Sequence, residues 1–171
     1  MWRQWLLGAV TLSIAVIVQV TLLTRLGLPG ATPDLVVVTV VALALALGRL
    51  PGAIAGFGAG VLVAITPPST TILGVESLTY MALGFVAGGL IDRRDRTVPI
   101  TIGIVAGSAA TAMFVVAVVD GLVGRTSVPW DRMGGLLVTS FVYAALLSPL
   151  VVPGIGWLAR KLEPVKVTTI G

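Results

Sequence analysis

The chain has 171 residues, of which 57% are hydrophobic and only 11% charged, with a formal net charge of +4 and neither cysteine nor histidine. Soluble domains carry about 25% charged residues, and a chain of this length with a mean hydropathy of +1.08 has too little interior to hide its apolar surface, so lipid is the expected solvent. The missing residue types exclude thiol nucleophiles, disulfides, imidazole bases and the usual zinc ligands, and the basic residues fall in short tracts between apolar runs, which points to lipid headgroups and not to nucleic acid.

The fold expected on these grounds is an all-α integral membrane protein, a six-transmembrane-helix bundle in one membrane domain. Its spans are placed at roughly 6–24, 34–48, 50–66, 72–91, 98–119 and 133–157, with a tail over 158–171. Met1-Trp2-Arg3-Gln4-Trp5 opens with a positive charge and two tryptophans, residues suited to headgroup level. The apolar run Leu6 to Leu23 exceeds the signal-peptide core of about 7 to 15 residues and no A-x-A-like site follows it. It is therefore expected to be an uncleaved first span, with Gln19 facing other helices.

Arg25 to Asp34 holds two prolines and two glycines and reads as a loop. Pro33 and Asp34 open the second span, where proline forgoes a bond that was never available and aspartate complements the positive end of the helix dipole. Leu35 to Leu47 carries no charge. It is short for a span, so the preceding loop contributes to the crossing or the helix stands close to vertical.

The third and fourth spans form a hairpin. Gly52, Gly56 and Gly60 recur every fourth residue and lie along one helical stripe, where a second backbone can approach closely. Gly84, Gly88 and Gly89 repeat the device. The turn holds Pro67 and Pro68, which cannot continue a helix, and the other end is anchored by Arg49 and by Asp92-Arg93-Arg94-Asp95-Arg96. The glycines are expected to pack the bundle first and meet a partner second, with a homo-oligomer through Gly52, Gly56 and Gly60 left open.

Glu76 lies about one turn into the fourth span, and an acid at the centre of a helix costs roughly 2.5 to 3.5 kcal/mol on insertion scales. It is the candidate functional acid, for a proton, a cation or a substrate. The plainer reading, and the favoured one, puts it in the first helical turn near water. Ser77, Thr79, Tyr80, Ser140 and Tyr143 read as helix–helix hydrogen-bonding groups, since no histidine and no lysine within a span is there to activate a hydroxyl. Gly56 to Gly60 superficially resembles a phosphate loop but lacks the following lysine.

The fifth span carries Gly103 and Gly107 and then Ser108-Ala109-Ala110-Thr111-Ala112, small residues that argue for burial among helices. Asp120 to Arg132 reads as the longest polar connection, with Trp130 as an interfacial anchor. Asp120 and Asp131 holding a divalent metal in a lipid-modifying enzyme is the remotest reading, because acids at that spacing in a loop are usually turn and cap residues. Pro149, Pro153, Gly154 and Gly156 interrupt the sixth span, so a kink or early end is expected near Pro149, followed by a frayed tail.

Six spans place both termini on one side. Arg3, Arg49, Arg93, Arg94, Arg96, Arg160, Lys161 and Lys166 fall on that side, against Arg25, Arg125 and Arg132 on the other. Short basic loops stay in the cytoplasm, so both termini are expected inside.

Leu28-Pro29-Gly30-Ala31-Thr32-Pro33-Asp34-Leu35, then Gly52 through Gly60, then Pro67-Pro68 and Ile72-Leu73-Gly74, then Leu83-Gly84-Phe85-Val86-Ala87-Gly88-Gly89-Leu90 follow one another in an order and spacing that resembles the rod shape-determining protein MreD family, in its actinobacterial form. The resemblance runs from Leu28 to Arg96, while the first and the last two spans agree in length and hydropathy only. Ala64 stands where family members often carry an aspartate, and Glu76 is the nearest substitute. The resemblance implies a protein of the bacterial inner membrane without enzymatic activity or cofactor. It would bind MreC and, through it, a RodA-type glycosyltransferase and its penicillin-binding partner. It also implies a fold similar to the substrate-binding subunits of energy-coupling-factor vitamin transporters, which supplies the alternative function.

Overall fold

The computed structural model describes residues 2–21, 32–66, 73–90, 97–124 and 130–162. Among these residues there is no strand, and six α-helices follow one another: α1 (Trp2–Thr21), α2 (Leu35–Leu47), α3 (Arg49–Ile65), α4 (Leu73–Leu90), α5 (Val98–Leu122) and α6 (Met133–Leu162), the last preceded by a 3-10 turn at Trp130–Arg132. Pro67, Pro68, Arg93, Arg94 and Arg96, and with them the hairpin turn and most of the basic anchor, lie outside the described residues.

α2 is the axis of the molecule. A helix that is apolar on every face belongs in an interior, and Val36 through Leu45 are all buried. Each of the other five helices packs against it. Its shortness, which the sequence alone leaves as a problem of membrane crossing, is the length of a helix enclosed by longer ones.

Gly48 is the whole connection between α2 and α3. Its φ of 103° is a conformation that a Cβ disfavours. Its amide bonds the Ala44 carbonyl at 2.8 Å and its carbonyl accepts the Gly52 amide at 3.0 Å, so the chain reverses without losing either helix end.

α3 and α4 are the most closely apposed pair, and the glycines explain why. A methyl group on Gly52 would come within 2.7 Å of the Gly84 carbonyl oxygen, one on Gly60 within 2.6 Å of the Ser77 amide, and one on Gly56 would collide with the Tyr80 carbonyl. Gly88 meets the Arg49 backbone in the same way. The expected stripe thus packs inside the chain, turned toward α4. Gly74, by contrast, faces open space.

Two expectations about helix ends change. α5 extends to Leu122, so Asp120 belongs to its last turn and is buried, not part of the following connection. α6 does not end at Pro149. It continues through both prolines to Leu162, because each proline removes one amide donor while Ala144, Ser148 and Ile155 remain buried on either side of the gaps.

The outer surface is oily. Leu50, Ile54, Phe57, Phe85, Leu90, Phe114, Leu146 and Leu150 are among many large apolar side chains left exposed. Val98–Leu122 and Trp130–Lys161 are long and apolar enough to cross a membrane, and with 28% and 17% of their apolar windows buried they differ from the core helix of a soluble protein. Gly8–Thr21, Leu35–Leu47 and Arg49–Ile65 are apolar but shorter. The chain is an all-helical protein with membrane-compatible helices.

Candidate functional site

The polar groups of the bundle converge at the end where α2 and α4 begin and α5 finishes. Asp34 caps α2, its Oδ1 accepting the Val37 amide at 3.0 Å. The hydroxyl of Tyr80, on α4, donates to the other oxygen of the same carboxylate at 3.0 Å. Gln19, on α1, accepts the Val36 amide at 2.9 Å through Oε1. Two helices, α1 and α4, are therefore tied to the first turn of the buried one, where unsatisfied amides need acceptors.

These residues line a cavity of about 270 Å3 together with Glu76, Asp120 and Ser140. Glu76 is in the first turn of α4, as the plainer reading had it, yet only 8% exposed, so it faces this interior space and not bulk water. Asp120 and Ser140 are buried as well. Carboxylates, an amide, a phenol and a hydroxyl opening on one space bounded by Ala109, Ala112 and Val116 can hold a proton or a cation, or orient a small polar molecule through several hydrogen bonds at once.

Asp120 and Asp131 do not share a site. Asp120 turns into the cavity, while Asp131 is exposed beside Arg132, 3.9 Å away. Among the described residues no group of three or more acidic, histidine or cysteine side chains is arranged to hold a metal ion.

The remaining candidates are distributed by the fold. Pro33 is buried just before the α2 cap. Gly52, Gly56, Gly60, Gly84 and Gly88 form the α3–α4 seam, and none of them lines the cavity. Arg49 is exposed, and its Nη2 donates to the Gly89 carbonyl at 3.2 Å, closing the C-terminal end of α4 where a cation suits the dipole. Thr79 bonds back to the Val75 carbonyl.

Sequence reasoning treated Asp34 as a dipole-complementing residue at the start of the second span and Tyr80 as one hydroxyl among several. Their pairing across 46 positions has no local signal. Asp120 had one: it follows directly on the apolar run that ends at Val119, and no helix breaker separates the two.

No protein-family model, no curated protein and no solved structure matches this chain.

Proposed function

We propose that the chain is a six-span, non-enzymatic scaffold of the bacterial cell-elongation machinery, acting as MreD-like proteins do by binding an MreC-like partner and, through it, a RodA-type glycosyltransferase and a penicillin-binding protein. The observation that carries the reading is where the MreD-like segments fall. Pro33 and Asp34 enter and cap the buried axis, and Gly52, Gly56, Gly60, Gly84 and Gly88 form the seam that holds the hairpin against it. Segments that resemble the family thus supply the start of the buried axis and the α3–α4 seam. In this reading all six helices cross the plasma membrane, both termini are cytoplasmic and no cofactor is used.

A second reading is favoured by the polar cavity. A substrate-binding subunit of an energy-coupling-factor transporter needs convergent polar groups reachable from outside, and Gln19, Asp34, Glu76, Tyr80, Asp120 and Ser140 supply them. Co-purification from native membranes separates the two. Recovery of an MreC-like protein supports the scaffold. Recovery of an ATPase pair with a coupling subunit, or of a tightly held vitamin, overturns it.

A further inference from the structure

A second cavity, of about 280 Å3, lies at the other end of α5. Thr97, Val98 and Thr101 line it from the start of that helix, and Ser148, Pro149 and Pro153 from α6. We propose that it binds the phosphate group of an anionic phospholipid, with the first amides of α5 and the hydroxyls of Thr97 and Ser148 as donors.

The first observation is Ser148. It is 1% exposed and its Oγ has no hydrogen-bond partner. Hydroxyls within helices ordinarily bond back to a carbonyl one turn earlier, as Ser13, Thr39, Thr79 and Thr111 do here. Ser148 does not, and a buried hydroxyl left in that state is destabilising until a ligand engages it.

The second observation is the start of α5 itself. Thr97 is extended, with φ −100° and ψ 153°, and its side chain makes no capping bond. No acidic residue stands in the first turn. Among the described residues, the positive end of this 25-residue helix thus has neither a side-chain cap nor an acidic side chain in its first turn, and helix N-termini bind phosphate. Pro99, inside the first turn, has no amide, so the Val98 amide beside the cavity and the Ile100 amide are the donors the turn offers.

The walls choose the form of phosphate. Apart from the hydroxyls the lining is Val98, Ile102, Val152 and the two prolines. Leu150, next in sequence to Pro149, is largely exposed, as is Val98, which gives an acyl chain an apolar surface to follow. A choline headgroup would bring its cation toward the positive helix end, so a lipid with net negative charge fits better than a zwitterionic one.

The test uses the purified full chain in detergent, with thermal unfolding followed as phosphatidylglycerol, phosphatidylcholine or inorganic phosphate is added. Phosphatidylglycerol is expected to raise the midpoint and phosphatidylcholine to leave it nearly unchanged. Ser148→Ala is expected to unfold at a higher temperature than the parent without lipid, since it removes the unpaired hydroxyl, and to bind phosphatidylglycerol about tenfold more weakly. Thr111→Ala, whose hydroxyl bonds the Gly107 carbonyl away from the cavity, should bind as the parent does. Equal shifts by the two lipids, undiminished binding by Ser148→Ala, or a lower midpoint for that variant without lipid each overturn the proposal. Displacement of phosphatidylglycerol by millimolar inorganic phosphate overturns the lipid assignment in favour of a soluble anion.

Discussion

At the residue scale, Asp34 serves one partner with each carboxylate oxygen. Asp34→Ala removes the acceptor of the Val37 amide and strands the Tyr80 hydroxyl in a buried position. With about 1 kcal/mol for a lost cap and about 1–3 kcal/mol for an unsatisfied buried group, a loss of roughly 2–4 kcal/mol is expected in detergent-based denaturant unfolding. Asp34→Asn keeps a capping oxygen and should cost roughly 1 kcal/mol or less. Tyr80→Phe removes the donor, and in a double-mutant cycle with Asp34→Ala the two losses should fall short of additive, because they delete the same bond. Additive losses would mean that the carboxylate and the phenol are held independently. That Asp34 stands at the start of α2 was legible in the sequence, because the signals of a helix start are local. Its bond to Tyr80 was not, because that contact exists only once α2 and α4 are side by side.

At the scale of elements, glycine spacing told part of the story. Gly52, Gly56 and Gly60 recur at the interval that aligns them on one face, and that face is indeed the seam with α4. Gly103 and Gly107 have the same interval, yet a methyl on either would meet nothing within 4 Å. Spacing shows that a backbone can be approached and does not say whether a neighbour arrives, since that depends on where the other helices lie. Gly56→Ala is therefore expected to force α3 and α4 apart, because the obstacle is the Tyr80 backbone and not a movable side chain. The expected loss is more than about 3 kcal/mol, or failure to yield folded protein, as overpacking against backbone exceeds the usual 1–3 kcal/mol range. Gly58→Ala, on the same helix but facing open space, should be neutral or should stabilise by up to about 1 kcal/mol. Size-exclusion profiles and melting curves of the pair compare the two directly. If Gly56→Ala melts like the parent, the seam is looser than the geometry implies. The helix ends were harder to place than the helices. Pro149 and Pro153 are strong breakers in isolation, but burial on both sides carries α6 past them.

At the scale of the whole molecule, hydropathy located all six helices, and composition accounts for the oily exterior. Neither identified α2 as the axis, because an apolar run reads alike whether it ends among helices or against lipid. The difference can be measured. Leu43, fully enclosed, should cost about 2–5 kcal/mol as Leu43→Ala, whereas Leu146→Ala on the exposed face of α6 should change stability by no more than about 0.5 kcal/mol. Orientation has its own test, made simple by the absence of cysteine. Ser69→Cys is expected to react with an impermeant thiol reagent on intact cells and Asp95→Cys is not. Labelling at position 95 from outside would reverse the proposed topology.

The innermost helix is the second in chain order. If the chain enters the bilayer in the order it is made, α2 arrives with α1 for company and meets α3 through α6 only later, so the element that finishes most enclosed spends its first moments in contact with lipid. A helix with a polar stripe would be ill suited to that wait. α2 has one polar side chain, Thr39, and its hydroxyl is already satisfied on the Leu35 carbonyl at 2.8 Å. The same uniform surface that lets α2 sit at the centre lets it stand alone beforehand, and Gly48, joining it to α3 without a linker, delivers its next neighbour at once.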